Sequence, residues 1–191
     1  MPGNSKNIPD RDAVHWYVIR CHNMVGARLR ALLSSSGMEF FVPETIEIVT
    51  EKGRRVKKLV PVVRGLFFLR ESYNSLYQKI HGDGFPMTFY FSRTTHVQDD
   101  AIWVTDTEMQ RFMKASQCFD RNPEIKPFGE IALKAGDHVR VIDGPFAGCD
   151  GWLVQIRRGQ RKRLVLTLAN LMTVSIALQP EDLVEVVVDE T

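Results

Sequence analysis

A chain of 191 residues, 44% hydrophobic and 25% charged, has the composition of an ordinary globular protein with apolar material for one large core or two modest ones. A formal charge of +2 excludes a global positive field, so any grip on nucleic acid has to come from local basic patches. The three cysteines, Cys21, Cys118 and Cys149, are odd in number and far apart, which suits reduced thiols better than a disulfide framework. Met1 to Asp12 is polar and lacks the apolar run of a signal peptide, and no stretch approaches the roughly 20 apolar residues of a membrane span. A cytoplasmic protein is expected.

Val14 to Cys21 reads as a strand, rich in aromatic and β-branched residues. A helix follows, with Val25, Leu29, Leu32 and Leu33 at helical spacing, and Ser34 to Gly37 ends it. Two strand-like runs, Phe40 to Val49 and Val56 to Val63, flank a Glu51-Lys52-Gly53-Arg54 turn. Gly65 to Arg70 predicts another strand, Tyr73 to Ile80 a short helix and Thr88 to Ser92 a strand. Thr105 and Glu108 have capping-box spacing ahead of the apolar stripe Met109, Phe112 and Met113, which predicts a further helix. This order is that of an α+β sandwich, a mostly antiparallel sheet with flanking helices, over residues 12–119.

Residues 120–132 hold prolines and little periodicity and read as a linker. Residues 133–189 change rhythm. Val139/Val141, Trp152/Val154/Ile156, Leu164/Leu166/Leu168, Val174/Ile176/Leu178 and Val184/Val186/Val188 each alternate at period two. Five short alternating strands predict a small all-β barrel, since closure removes exposed sheet edges.

The run Val139-Arg140-Val141-Ile142-Asp143-Gly144-Pro145-Phe146-Ala147-Gly148-Cys149-Asp150-Gly151 resembles the KOW motif, a strand, a Gly-Pro-Phe turn and spaced glycines leading into the next strand. Glycine permits positive φ, Pro145 presets the turn, and Phe146 can fold back onto a small core. Trp16-Tyr17-Val18-Ile19 with its helix is similar to the opening of a NusG N-terminal domain. Leu59-Val60-Pro61-Val62-Val63-Arg64-Gly65-Leu66-Phe67-Phe68-Leu69 resembles that domain's Pro-Gly-Tyr strand region, with Arg64 and Leu66 as departures. Together these resemble a NusG-like transcription elongation or antitermination factor with an SH3-like KOW barrel. Lys57-Lys58-Leu59-Val60-Pro61 looks closest to the specialised UpxY-type paralogues, which implies antitermination at polysaccharide-biosynthesis operons. Another branch of the family refolds its C-terminal domain into helices, but the period-two alternation here predicts β structure.

The resemblance implies that the N-terminal domain docks on the clamp helices of the largest RNA polymerase subunit and suppresses pausing or termination. By position, Trp16, Val18, Arg20, Leu66 and Phe68 would lie on the docking face. The residues agree in one respect: both registers of these two strands are apolar, and an exposed apolar face marks a partner surface. The alternative is that the linker or the C-terminal domain covers them as core. His22 and Arg28 fall near where family members touch non-template DNA. Two basic clusters, Lys52, Arg54, Arg55, Lys57 and Lys58, then Arg157, Arg158, Arg161, Lys162 and Arg163, suit phosphate or partner contact, or are solvated hairpin tips. The tethered KOW barrel would recruit Rho or a ribosomal protein, and nascent RNA is a further ligand the resemblance allows. The protein is expected to be a monomer.

Catalytic signals are weak. Cys21 and His22 are adjacent, so on a strand they point to opposite faces. The histidines show no metal-ligand spacing with cysteine, and Gly82-Asp83-Gly84 lacks the strand and helix of a phosphate loop. No enzyme, cofactor or metal is expected. A ribosome-associated KOW protein binding RNA is the other class left open, and +2 is low for it.

Overall fold

The computed structural model describes residues 10–21, 26–91, 101–118, 123–127, 137–144, 146–154, 162–169, 171–178 and 184–186. The chain divides into two compact units, Met1–Pro43 with Val63–Asp106, and Glu44–Val62 with Thr107–Thr191.

The first unit is built on two long strands. Strand β1 (Val14–Arg20) pairs antiparallel with β5 (Leu66–Ser72) over its whole length, from Val14 opposite Ser72 to Arg20 opposite Leu66. Strand β2 (Glu39–Phe41) adds to the free side of β5. The two-residue strands β6 (Thr88–Phe89) and β7 (Trp103–Val104) share the other side of β1. Side chains alternate across a sheet, so one face carries Tyr17, Ile19, Phe67, Leu69 and Phe89. These residues form one core with Leu29 and Leu33 of helix α1 (Gly26–Ser36) and Tyr73 and Leu76 of helix α2 (Tyr73–His81). Ser72 caps α2, its hydroxyl accepting from the backbone N–H of Ser75 at 3.2 Å.

The second unit holds the hairpin of β3 (Glu44–Glu51) and β4 (Arg54–Pro61), helix α3 (Asp106–Ser116) from its second residue, and a six-stranded antiparallel sheet. The predicted strand from Phe40 to Val49 is split in two, because Pro43 has no N–H to carry a ladder through it. The predicted turn is present: Lys52 and Gly53 both have positive φ (50° and 77°), as a two-residue hairpin loop of matching twist requires. The sheet order is β13 (Val184–Val186), β9 (Asp137–Val141), β10 (Asp150–Val154), β11 (Arg163–Leu168), β12 (Met172–Ala177) and β8 (Glu124–Pro127). The C-terminal block is thus β throughout its described residues. β8 falls inside residues 120–132, read above as a linker; it is a strand because Ile125 and its neighbours pair with β12.

Gly151 on β10 shows why this sheet needs a glycine. A Cβ there would lie 2.7 Å from the carbonyl oxygen of Val165 on β11, a backbone atom that cannot step aside. Gly151→Ala is therefore expected to destabilise the protein by about 1–3 kcal/mol. Denaturant titration measures this, and an unchanged midpoint would show that the strands separate freely.

Candidate interaction site

The second face of the β1–β5 pair carries four of the five residues expected to dock on polymerase, and they are not exposed. Trp16, Val18, Leu66 and Phe68 retain 2%, 0%, 5% and 0% of their surface. Both registers of the pair are thus apolar and buried. Arg20, at the end of β1, is exposed.

Trp16 and Arg70 are cross-strand partners on this face, and both engage Asp106, the first residue of α3. Arg70 donates through Nε and Nη2 to the two carboxylate oxygens, each at 2.8 Å, and the Trp16 indole donates as well. The Arg70 fork, aided by its charge and by Trp16, holds the Asp106 carboxyl below the usual range against the opposing effect of burial. Glu39 stands 3.9 Å from Arg70. Further along, the rings of Phe41 and Phe68 lie 6.5 Å apart. The Trp16 indole N–H is therefore committed to Asp106.

On the helix side of the sheet, Arg28 is exposed on α1, while His22 lies outside the described residues. A feature not anticipated is an aromatic ladder along α2. Tyr73 and Tyr77 stack at 6.2 Å, Tyr77 meets His81 at 4.3 Å, and Tyr73 stacks on Phe89 at 4.7 Å with Arg11 above it at 4.9 Å. Tyr77 keeps 50% of its surface exposed, and His81 is exposed. Its signal was the spacing of Tyr73, Tyr77 and His81 at successive helical turns. Beneath it, the Tyr17 hydroxyl is buried without a hydrogen-bond partner among the described residues, and burial pushes its pKa up to about 12.

In the C-terminal sheet, Gly144 and Gly148 adopt positive φ (90° and 80°), and Phe146 is buried, with Lys114 of α3 at 5.8 Å from its ring centre. Pro145, Arg157, Arg158 and Arg161 lie outside the described residues. Lys162 is exposed. Arg163, expected as a partner contact, is instead 8% exposed: its guanidinium turns onto β12, donating to the Ser175 hydroxyl at 2.9 Å and carbonyl at 2.7 Å. A buried guanidinium has to be so satisfied, and it is not available to a phosphate. The other basic cluster, Lys52, Arg54, Arg55, Lys57 and Lys58, is exposed throughout, and Lys58 pairs with Glu51 at 2.8 Å.

Among the described residues, no group of three or more His, Cys, Asp or Glu side chains could hold a metal, and no helix is long and apolar enough to cross a membrane. Burial raises the thiol pKa of Cys21 and Cys149, which disfavours the reactive thiolate.

The family model "Transcription termination factor nusG" matches residues 14–113, the region that runs from β1 into α3. A solved structure titled "Domain interaction in Thermotoga maritima NusG" is similar at a TM-score of 0.45 and 16% identity, covering 93% of this chain and 99% of that one. No curated protein matches.

Two outcomes follow from the site chemistry. Asp106 contributes stability that is fully present above its unfolded-state pKa of about 3.9 and is lost as pH falls through its lower folded-state value. Asp106→Asn is expected to lower stability at pH 7 and to flatten the acid limb of a stability–pH curve; an unaltered limb would show the ion pair to be idle. Tyr17→Phe, which removes an unpartnered buried hydroxyl, is expected to leave stability unchanged or raise it by about 1 kcal/mol. A clear loss in thermal unfolding would reveal a partner for that oxygen.

Proposed function

The chain belongs to the NusG family, and from that premise we propose that it is a transcription elongation and antitermination factor that binds RNA polymerase through the β1–β5 face of its N-terminal region. The observation that carries this reading is the family match itself, which spans the two strands and the start of α3. The docking residues are Trp16, Val18, Arg20, Leu66 and Phe68, and the partner is the clamp helices of the largest subunit. With four of the five buried, docking requires their present cover to be exchanged for the clamp. Such an exchange is favourable only if the clamp offers comparable apolar area, since burying each large side chain is worth roughly 1.5–3 kcal/mol. A ligand that binds the closed, elongating polymerase better than the paused one shifts the enzyme toward elongation.

A second surface supports nucleic-acid contact beside the polymerase. Arg28 on α1 and the ladder of Tyr77 and His81 on α2 lie on the helix-bearing side of the sheet, with a cation and exposed rings for a displaced strand whose bases can stack. The glycine-spaced turn around Phe146 supports a KOW-type barrel, which would tether a second partner such as Rho or a ribosomal protein near the polymerase. The wording Lys57-Lys58-Leu59-Val60-Pro61 supports action at polysaccharide-biosynthesis operons. A ribosomal role is less favoured, because the family match lies outside the KOW-like segment.

Arg20 permits a test free of folding damage, since it is exposed where its neighbours are core. Arg20→Glu in the full chain is expected to weaken binding to purified core polymerase by about tenfold, equivalent to about 1.4 kcal/mol, with thermal unfolding unchanged. Equal affinity for wild type and variant would remove Arg20 from the interface, and no binding by wild type would remove the polymerase.

A further inference from the structure

The hairpin of β3 and β4 sorts its residues by face in a way that a solvated tip does not need. Residues directly opposite in an antiparallel pair share a face. On one face Glu47 stands opposite Lys58 and Glu51 opposite Arg54, and Lys58 also reaches Glu51 at 2.8 Å, so its cations are matched by carboxylates. Val49 and Val60 on that face are half-buried, and Val56 opposite Val49 is 36% exposed.

The other face carries Ile46 opposite Leu59, Ile48 opposite Lys57, and Thr50 opposite Arg55. Ile46, Ile48 and Leu59 are contiguous there and remain 51%, 58% and 56% exposed. Arg55 and Lys57 have no carboxylate across the ladder from them, and Lys52 adds a third cation at the turn. A two-stranded sheet is marginal by itself and gains stability from cover on a face. This face carries Glu44 opposite Pro61 at its base, is aliphatic in the middle at Ile46, Leu59 and Ile48, and is cationic toward its tip.

From this arrangement, and resting on the polymerase reading above, we infer that the open hairpin face is a second docking surface for RNA polymerase, fitted to a protein segment in which aliphatic residues adjoin aspartate or glutamate. A phosphate backbone would satisfy Arg55, Lys57 and Lys52 but would leave the three aliphatic side chains against charge. A protein surface of acidic and aliphatic composition satisfies both halves, the apolar part by burial and the cations by charge complementarity. The chain leaves the first unit after Pro43 and returns to it at Val63, so the hairpin is joined to that unit at both ends.

The test places a photo-crosslinking benzoylphenylalanine at position 48 of the full chain and irradiates it with purified core polymerase, with and without a nucleic-acid scaffold. Crosslinks should map to one polymerase segment rich in aliphatic and acidic residues. Two double variants, Ile46→Ser with Leu59→Ser and Arg55→Glu with Lys57→Glu, should each weaken polymerase binding at least fivefold without lowering the unfolding temperature of the chain. Crosslinks to DNA or RNA alone, with only the charge variant affected and a steep salt dependence, would overturn the inference in favour of phosphate contact. So would a chain that binds polymerase without any crosslink from position 48. That last result leaves the polymerase reading standing, whereas failure of the wild-type chain to bind polymerase overturns both.

Discussion

Everything in the first unit depends on the seven-residue antiparallel pairing of β1 with β5, whose central residues are buried on both faces. One face meets α1 and α2 through Tyr17, Ile19, Phe67 and Leu69. The other holds Val18, Leu66 and Phe68 out of water and anchors the first residue of α3 through Trp16 and Arg70. Burial on both sides fixes the register tightly, because a slip of one residue would exchange the two apolar sets and drag Arg70 away from Asp106.

Outside that pairing, the polar groups are arranged to free or to restrain particular surfaces. Arg163 is committed to Ser175 inside the C-terminal sheet, and Arg140 is committed to Asp150 across β9 and β10 at 2.7 Å. Lys52, Arg55 and Lys57 are left outward on the hairpin beside exposed aliphatic side chains. A basic residue count therefore says little about where a polyanion or an acidic protein could bind; the partner of each cation decides it.

Much of the fold was legible in the sequence. Continuous apolar runs located β1 and β5, period-two alternation located the long strands of the C-terminal sheet, helical spacing located α1 and α3, and the glycines at 53, 144 and 148 marked turns that do need positive φ. Short elements were not legible. β7 has two residues, and β8 forms only because it reaches β12, Lys126 accepting from Thr173 across 47 positions of sequence. Burial was less legible than the fold, for a physical reason. An apolar strand looks the same whether a partner or its own chain covers it, so Trp16, Val18, Leu66 and Phe68 could be placed on one face but not declared open or closed. Likewise Arg163 sits in a basic run whose other members give no hint that its guanidinium turns inward. The α2 ladder was visible as Tyr73, Tyr77 and His81 at helical spacing, yet its stacking on Phe89 depends on a strand brought in from later in the chain.

The central claim is that the β1–β5 face engages the polymerase clamp, and methyl NMR of the full chain measures it directly. With Val18 and Leu66 methyl groups labelled, addition of the purified clamp-helix fragment should shift both signals saturably, while Leu33 on the helix side of the sheet changes little. Shifts confined to Leu33 and the helix side, or no shift at saturating fragment, would contradict the account.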